Sequence, residues 1–221
     1  MLAVVCCLIW VRLAPGQVLN LPPRGSNALG GQQFVNVITP MLAPPDAQRE
    51  NWIFAQVAGG NIPDWMRTLT KVTTNAVING VNHTISYYVA PDYLAIGSSN
   101  DYFLEPMTPM LAQRISSLLG CTLPTRKMVN DIWTQTQLKM EPMPITYNNS
   151  NPPVTVPWFN VYNSNIWAQR QTYLPSFPLG DSVAGDKKDV IISTYIYNWR
   201  VKRSGEISSG RTAFFFDQAE G

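Results

Sequence analysis

Cys121 has more reactive potential than any other side chain in this sequence. A nucleophilic cysteine needs a depressed pKa and a nearby base, most often a histidine. The spacing around Cys121 predicts the first condition. Leu111, Ile115, Leu118 and Leu119 share one face of a helix opened by Thr108-Pro109 and stopped by Gly120. Met128, Val129, Ile132 and Trp133 form the stripe of a second helix, capped by Thr122 or Leu123, with Pro124 in its first turn and Pro142 as its bound. Cys121 is thereby expected at the N-terminal end of that second helix, where the dipole and free N–H groups favour a thiolate. The competing reading is a small hydrophobe filling the gap between two helices.

Two further residues could assist. His83 is the single histidine of the chain. It lies in phase with Val81, Ile85, Tyr87 and Val89, so it serves either as a base for Cys121 or as a histidine held among apolar neighbours of one strand face. Asp186 lies in Gly185-Asp186-Lys187-Lys188-Asp189, ahead of a strand beginning at Val190. It is either part of a tight turn or a carboxylate at the rim of a sheet.

The elements that must position these groups follow from punctuation and period. Eighteen Pro and fourteen Gly break the chain into short elements with long connections. Leu21–Gly31 reads as an extended, mobile lead-in, and Phe34–Ile38 as a short strand. Pro44-Pro45-Asp46 opens a helix with Ile53, Phe54 and Val57 on its inner face, ended by Gly59-Gly60. Ile62-Pro63-Asp64 starts another helical turn through Trp65, Met66 and Leu69.

From Val72 to Leu104 the period is two. Asn79-Gly80 marks a hairpin, and Val81 to Val89 alternates as a strand with one buried face. Tyr93–Ile96 resumes it, and Tyr102-Phe103-Leu104 pairs back. Val154–Tyr162 reads as extended, followed by a short helix through Ile166, Trp167 and Arg170. Val190–Tyr197 is the best late strand. Phe214-Phe215-Phe216 stands without the second half of any hairpin. Asn82-His83-Thr84 and Asn148-Asn149-Ser150 are glycosylation acceptors that only a eukaryotic secretory host would use.

Composition bounds the class. Hydrophobic residues make up 45% of the 221 and charged residues 14%, enough apolar material for a core and too little charge for wholesale disorder. Net charge is +2 with no basic block longer than Lys187-Lys188, which argues against nucleic acid as a partner. Leu2–Val11 is an unbroken apolar run, shorter than the roughly 20 residues a bilayer span needs. It has the length of a secretory h-region, and the competing reading is a buried N-terminal strand. On the first reading Cys6 and Cys7 leave with the signal and Cys121 is the single mature thiol. No stable membrane insertion is expected.

Asp64, Asp92, Asp101 and Asp131 lack calcium-loop spacing, and one histidine with one mature cysteine makes a poor metal set. No phosphate loop, nucleophile elbow, zincin motif or dinucleotide fingerprint occurs, so neither a cofactor nor a metal is expected.

The expected architecture is α+β. Residues 1–16 form the signal peptide, 17–31 the lead-in, 32–198 a single domain and 199–221 a divergent tail. An antiparallel sheet from the Val72–Leu104 hairpins and the Val190 strand would pack on the Thr108–Met140 helix pair. That order is compatible with a papain-like or cell-wall-hydrolase arrangement. Two functions follow. One is a secreted, cysteine-dependent hydrolase-like scaffold acting on extracellular or cell-wall material, with Cys121 as nucleophile and His83 or Asp186 assisting. The other is a non-catalytic secreted binding or structural module, its Trp158, Trp167 and Trp199 exposed on one face toward an extracellular polymer or protein. Oligomeric state is not fixed by the sequence.

Three stretches add a resemblance. They are Gln33-Phe34-Val35-Asn36-Val37-Ile38-Thr39, Tyr87-Tyr88-Val89-Ala90-Pro91-Asp92-Tyr93-Leu94-Ala95-Ile96-Gly97, and Leu119-Gly120-Cys121-Thr122-Leu123-Pro124-Thr125-Arg126-Lys127-Met128-Val129. With Pro178-Leu179-Gly180 and Gly185–Val190, they resemble a family of uncharacterised secreted proteins found mostly in bacteria, over about residues 33–192. The resemblance implies secretion and carries no activity. In that family a His usually stands where this chain has Asp186, and members continue into another strand and a His-containing stretch. This chain instead ends in Arg200–Gly221, which departs from that pattern.

Overall fold

A computed structural model describes residues 17–41, 46–141, 155–184, 189–191 and 215–217. The architecture is α+β, with five helices and eight short strands among the described residues. The expected single sheet does not form. Among the described residues the strands make four separate two-stranded sheets, two of them tight hairpins and one a parallel pair.

The lead-in is extended, and it is pinned to the domain. Leu19 N–H donates to the Arg67 carbonyl at 2.8 Å, and Leu69 N–H to the Gln17 carbonyl at 2.8 Å. Arg24 Nε donates to Asn61 Oδ1 at 2.9 Å, and Asn61 is itself buried.

Helix α1 (Gly31–Ile38) occupies the stretch expected as a strand. An apolar run this short fits either period, and what decides is outside it. Gln33 Oε1 reaches back to accept from Gly30 N–H at 3.1 Å. Asp101 Oδ1 caps Gln32 N–H at 3.0 Å from a distant turn. Phe34, Val35 and Ile38 then fall together on the buried side. Helix α2 (Ala47–Ala58) follows its signals, with Asp46 as N-cap and Ile53 and Val57 buried. A 3-10 turn, Asp64–Met66, leads into the hairpin.

Strands β1 (Thr70–Ile78) and β2 (Val81–Val89) pair antiparallel from Thr70↔Val89 to Ile78↔Val81. Asn79 and Gly80 both have positive φ, 52° and 80°, as a two-residue hairpin turn requires. The face expected to be buried is mostly in solvent. Val81, His83 and Ile85 are exposed, and only the root of the hairpin, at Val72 and Tyr87, is covered. Alternation creates an apolar face without specifying what lies on it.

Strands β3 (Ala95–Gly97) and β4 (Tyr102–Leu104) form a second, fully buried hairpin. Phe103 meets Phe34 of α1 with ring centroids 6.1 Å apart, at the centre of the core. Helix α3 (Pro109–Leu118) starts at its expected cap. Thr108 Oγ1 accepts from Leu111 N–H at 3.2 Å and donates to Glu50 Oε2 at 2.7 Å, which ties α3 to α2. Thr108→Ala removes both bonds and is expected to cost roughly 1–3 kcal/mol. The check is urea unfolding, with a lowered midpoint at unchanged slope.

Helix α4 (Arg126–Gln135) is shorter than expected at both ends. Its N-cap is Thr125, which accepts from Met128 N–H at 3.3 Å. Residues beyond Gln135 leave the helix because β5 (Leu138–Lys139) pairs parallel with β6 (Val183–Ala184). Of its predicted stripe only Val129 is fully buried; Met128, Ile132 and Trp133 are half-buried.

Helix α5 (Val156–Tyr173) takes in residues 156–162 of the stretch expected as extended and the short helix after it; Val154 lies outside the described residues. Pro157, in its first turn, is the start signal. Strands β7 (Asp189–Ile191) and β8 (Phe215–Asp217) pair antiparallel, so Phe215 and Phe216 have a strand partner, while Phe214 and the rest of the expected Val190–Tyr197 strand lie outside the described residues. No helix among the described residues is long and apolar enough to cross a membrane.

Candidate functional site

The three residues singled out from sequence are not brought together among the described residues. Asp186 lies outside them. His83 is exposed in the outer half of β2, opposite Ala76 of β1. No hydrogen bond among the described residues joins it to Cys121.

Cys121 is not at a helix start. Its N–H donates to the Ser116 carbonyl at 2.8 Å, and Gly120 N–H donates to Ser117 at 3.3 Å with Gly120 at φ 66°. That pair of bonds closes a helix C-terminus, so Cys121 is the third residue past the end of α3 and four residues ahead of the α4 cap. The helix end beside it presents carbonyls, which disfavour a neighbouring anion. Burial of the thiol pushes its pKa up from the ordinary value. The residue as a whole is exposed, and Sγ finds one weak acceptor, the Leu119 carbonyl at 3.6 Å. The expected cap, Thr122 or Leu123, falls two or three residues too early, because Thr125 makes the bond to the N3 amide, that of Met128.

The polar groups that the fold does assemble lie elsewhere. Where α4 meets the hairpin root, Lys127 Nζ bonds both Asp131 oxygens, at 2.8 and 2.9 Å, and Thr74 Oγ1 at 3.3 Å. Tyr87 donates to Asp131 Oδ2 at 3.3 Å. Partial burial, reinforced by the Asp131 charge, pushes the Tyr87 phenol up to about 12, so it stays a hydrogen-bond donor. Gln135 acts as a two-point amide clamp on the β1 backbone, accepting from Thr73 N–H at 3.2 Å and donating to Thr73 O at 2.8 Å.

A second group is buried. Arg49 is wholly inaccessible and donates to Glu105 Oε1, to the Pro106 carbonyl and, at 3.1 Å, to Glu50 Oε1. Its guanidinium also stands 5.6 Å from the Phe159 ring centroid of α5. Arg49 Nε and Glu105 Oε2 have no hydrogen-bond partner among the described residues. Burial pushes Glu105 up to about 8, against the lowering pull of Arg49. Two carboxyls and one guanidinium in a dry site are most stable with one proton retained, which leaves the cluster neutral. A signal for it exists in the sequence. Arg49 falls four residues before Ile53 and eight before Val57, on the inner stripe of α2. With Glu105 fully enclosed, the cluster is a structural tie and offers no access to a substrate.

The tryptophans do not line one face. Trp158 and Trp167 are nine residues apart on α5, about two and a half turns, and so point to opposite sides; Trp199 lies outside the described residues. Among the described residues no group of three or more His, Cys, Asp or Glu is placed to hold a metal ion. Searches against protein-family models, curated proteins and solved structures find no match to this chain.

The surface feature that stands out is the outer half of the hairpin. Val77 is 72% exposed, Val81 58%, Ile85 57% and Ile78 55%, a concentration of apolar side chains on one projecting element. From Val72 to Pro91 there is no Lys, Arg, Asp or Glu.

Proposed function

We propose that this chain is an exported, non-catalytic interaction module, with the β1–β2 hairpin as its contact element. The observation that carries this reading over a cysteine-dependent hydrolase is the seat of Cys121. A thiol beside helix carbonyls, with a raised pKa and a carbonyl as its bonded neighbour, lacks what makes a cysteine nucleophilic at neutral pH. The hairpin supports the interaction half of the reading, since a two-stranded ribbon covered only at its root has apolar surface to offer. Export belongs to the same proposal and rests on the apolar Leu2–Val11 run and on the resemblance to secreted proteins. The ligand class in view is an extracellular polymer or protein.

Thiol alkylation of the folded protein across pH tests the reading. Cys121 should label with a midpoint above that of a free cysteine thiol, and Cys121→Ser should leave unfolding stability within about 0.5 kcal/mol. Rapid labelling well below pH 8 would mark a stabilised thiolate and return the hydrolase reading.

A further inference from the structure

Among the described residues, the edge of β1 is engaged toward its lower end and open in its outer part. Across a two-residue turn, Ile78 and Val81 form a hydrogen-bonded pair, so even-numbered residues of β1 direct their backbone groups to β2 and odd-numbered ones direct theirs outward. Thr73 bears this out, since both its N–H and its carbonyl go to Gln135. The same edge is taken at Arg67 and Leu69 by the lead-in strand around Val18. Past Thr73, the outward N–H and carbonyl groups of Asn75 and Val77 have no partner among the described residues.

Open edges are ordinarily blunted with Lys, Pro or a bulge, and none of these occurs between Val72 and Ala90. An uncharged edge meets an identical edge without repulsion. We infer that Asn75 and Val77 pair antiparallel with the same residues of a second copy of this chain, about a two-fold axis at Ala76, in a closed dimer with a four-stranded sheet.

The register suits the space. Asn75 faces the partner subunit's Val77 and the reverse, which makes four main-chain hydrogen bonds and is self-complementary as a two-fold contact must be. Two residues further along, Thr73 meets the partner subunit's Asn79. There the Gln135 clamp ends the open edge just as the partner's turn ends its strand. On the face toward α4, Ile78 falls beside the partner subunit's Thr74. The corresponding Thr74 in the described chain is held by Lys127 and Asp131 of α4, so Ile78 gains cover from a helix. On the other face the exposed Val77 side chain meets the partner subunit's Asn75.

This inference rests on reading the chain as an interaction module, and the two fail differently. A reactive thiolate at Cys121 removes the module; a protein that stays monomeric removes only the second copy as its occupant. The experiment is sedimentation velocity of the purified full chain across a wide concentration range, beside Val77→Lys and Val77→Pro. Lys places like charge beside the pairing axis. Pro removes an outward donor while sparing every β1–β2 hydrogen bond. Both variants should match the parent's thermal midpoint at concentrations where the parent is monomeric, and weaken dimerisation about tenfold or more. Amide exchange at Asn75 and Val77 should slow as the parent is concentrated and stay fast in Val77→Lys. A monomer at every concentration, an assembly larger than a dimer, or a dimer indifferent to both variants overturns the proposal.

Discussion

Arg49→Ala is expected to destabilise the protein by roughly 3–5 kcal/mol, the cost of leaving buried carboxyls without their cation. The substitution removes the Arg49 bonds to Glu50, Glu105 and the Pro106 carbonyl together, leaving the Thr108–Glu50 bond to join α2 to the β4–α3 connection. Glu105→Gln should cost much less, because it keeps a neutral group of the same shape where a protonated carboxyl already sits. The pair also predicts a pH dependence. Glu105 is raised from about 4.5 to about 8 by burial, so the folded state holds a proton that the unfolded chain has released in that window. Stability from this group is therefore fully present below about 4.5 and is lost as pH rises through about 8. The charged groups that act on it are Arg49, which donates to Glu105 Oε1, and Glu50, both from α2. Thermal scans from pH 5 to pH 8 should show the parent's midpoint falling and that of Glu105→Gln falling less. Equal slopes in the two proteins would remove Glu105 as the titrating group.

Gly97→Ala should be nearly as damaging, at about 3 kcal/mol or more, or a Tm lowered by about 10 °C. Two separate costs meet there. Gly97 has φ 126°, a conformation L side chains rarely adopt, and an added Cβ would lie 2.3 Å from the Asp101 carbonyl oxygen and 2.7 Å from the Gly31 nitrogen. Those are main-chain atoms at the joint where the β3–β4 turn meets the start of α1, with Gly31 N–H donating to that same Asp101 carbonyl at 2.8 Å. They cannot move without opening the joint that holds Phe34 against Phe103. Gly80→Ala supplies the control, because Gly80 also has positive φ and meets nothing within 4 Å. It should lose only about 1–2 kcal/mol. Comparable losses at the two positions would show that the crowding at Gly97 relaxes freely.

Much of the secondary structure was legible because its causes are local. Asp46 and Thr108 cap the helices they were expected to open, and Asn79-Gly80 turns the hairpin as its dipeptide dictates. The misreadings share a physical origin. Phe34–Ile38 is helical through a cap lent by Asp101, far away in sequence. Leu138–Lys139 is extended because Val183–Ala184 lies beside it, and Phe215–Asp217 is a strand because Asp189–Ile191 pairs with it. None of these partners can be found by scanning a window.

The candidate site shows the same division more sharply. A cysteine between two helices was readable, and whether it faced the amide end of one or the carbonyl end of the other was not. Three residues of offset in a cap exchange a setting that favours a thiolate for one that opposes it. By itself the sequence determined an α+β chain with a charge-free hairpin, low net charge and a single cysteine beyond the N-terminal apolar run. Only the tertiary structure decided that the hairpin stands half uncovered, that Arg49 is enclosed with two carboxyls, and that Cys121 has a carbonyl for its neighbour. Caps and turns are fixed by atoms a few residues apart, whereas burial and the field at a side chain are sums over neighbours that only folding brings near.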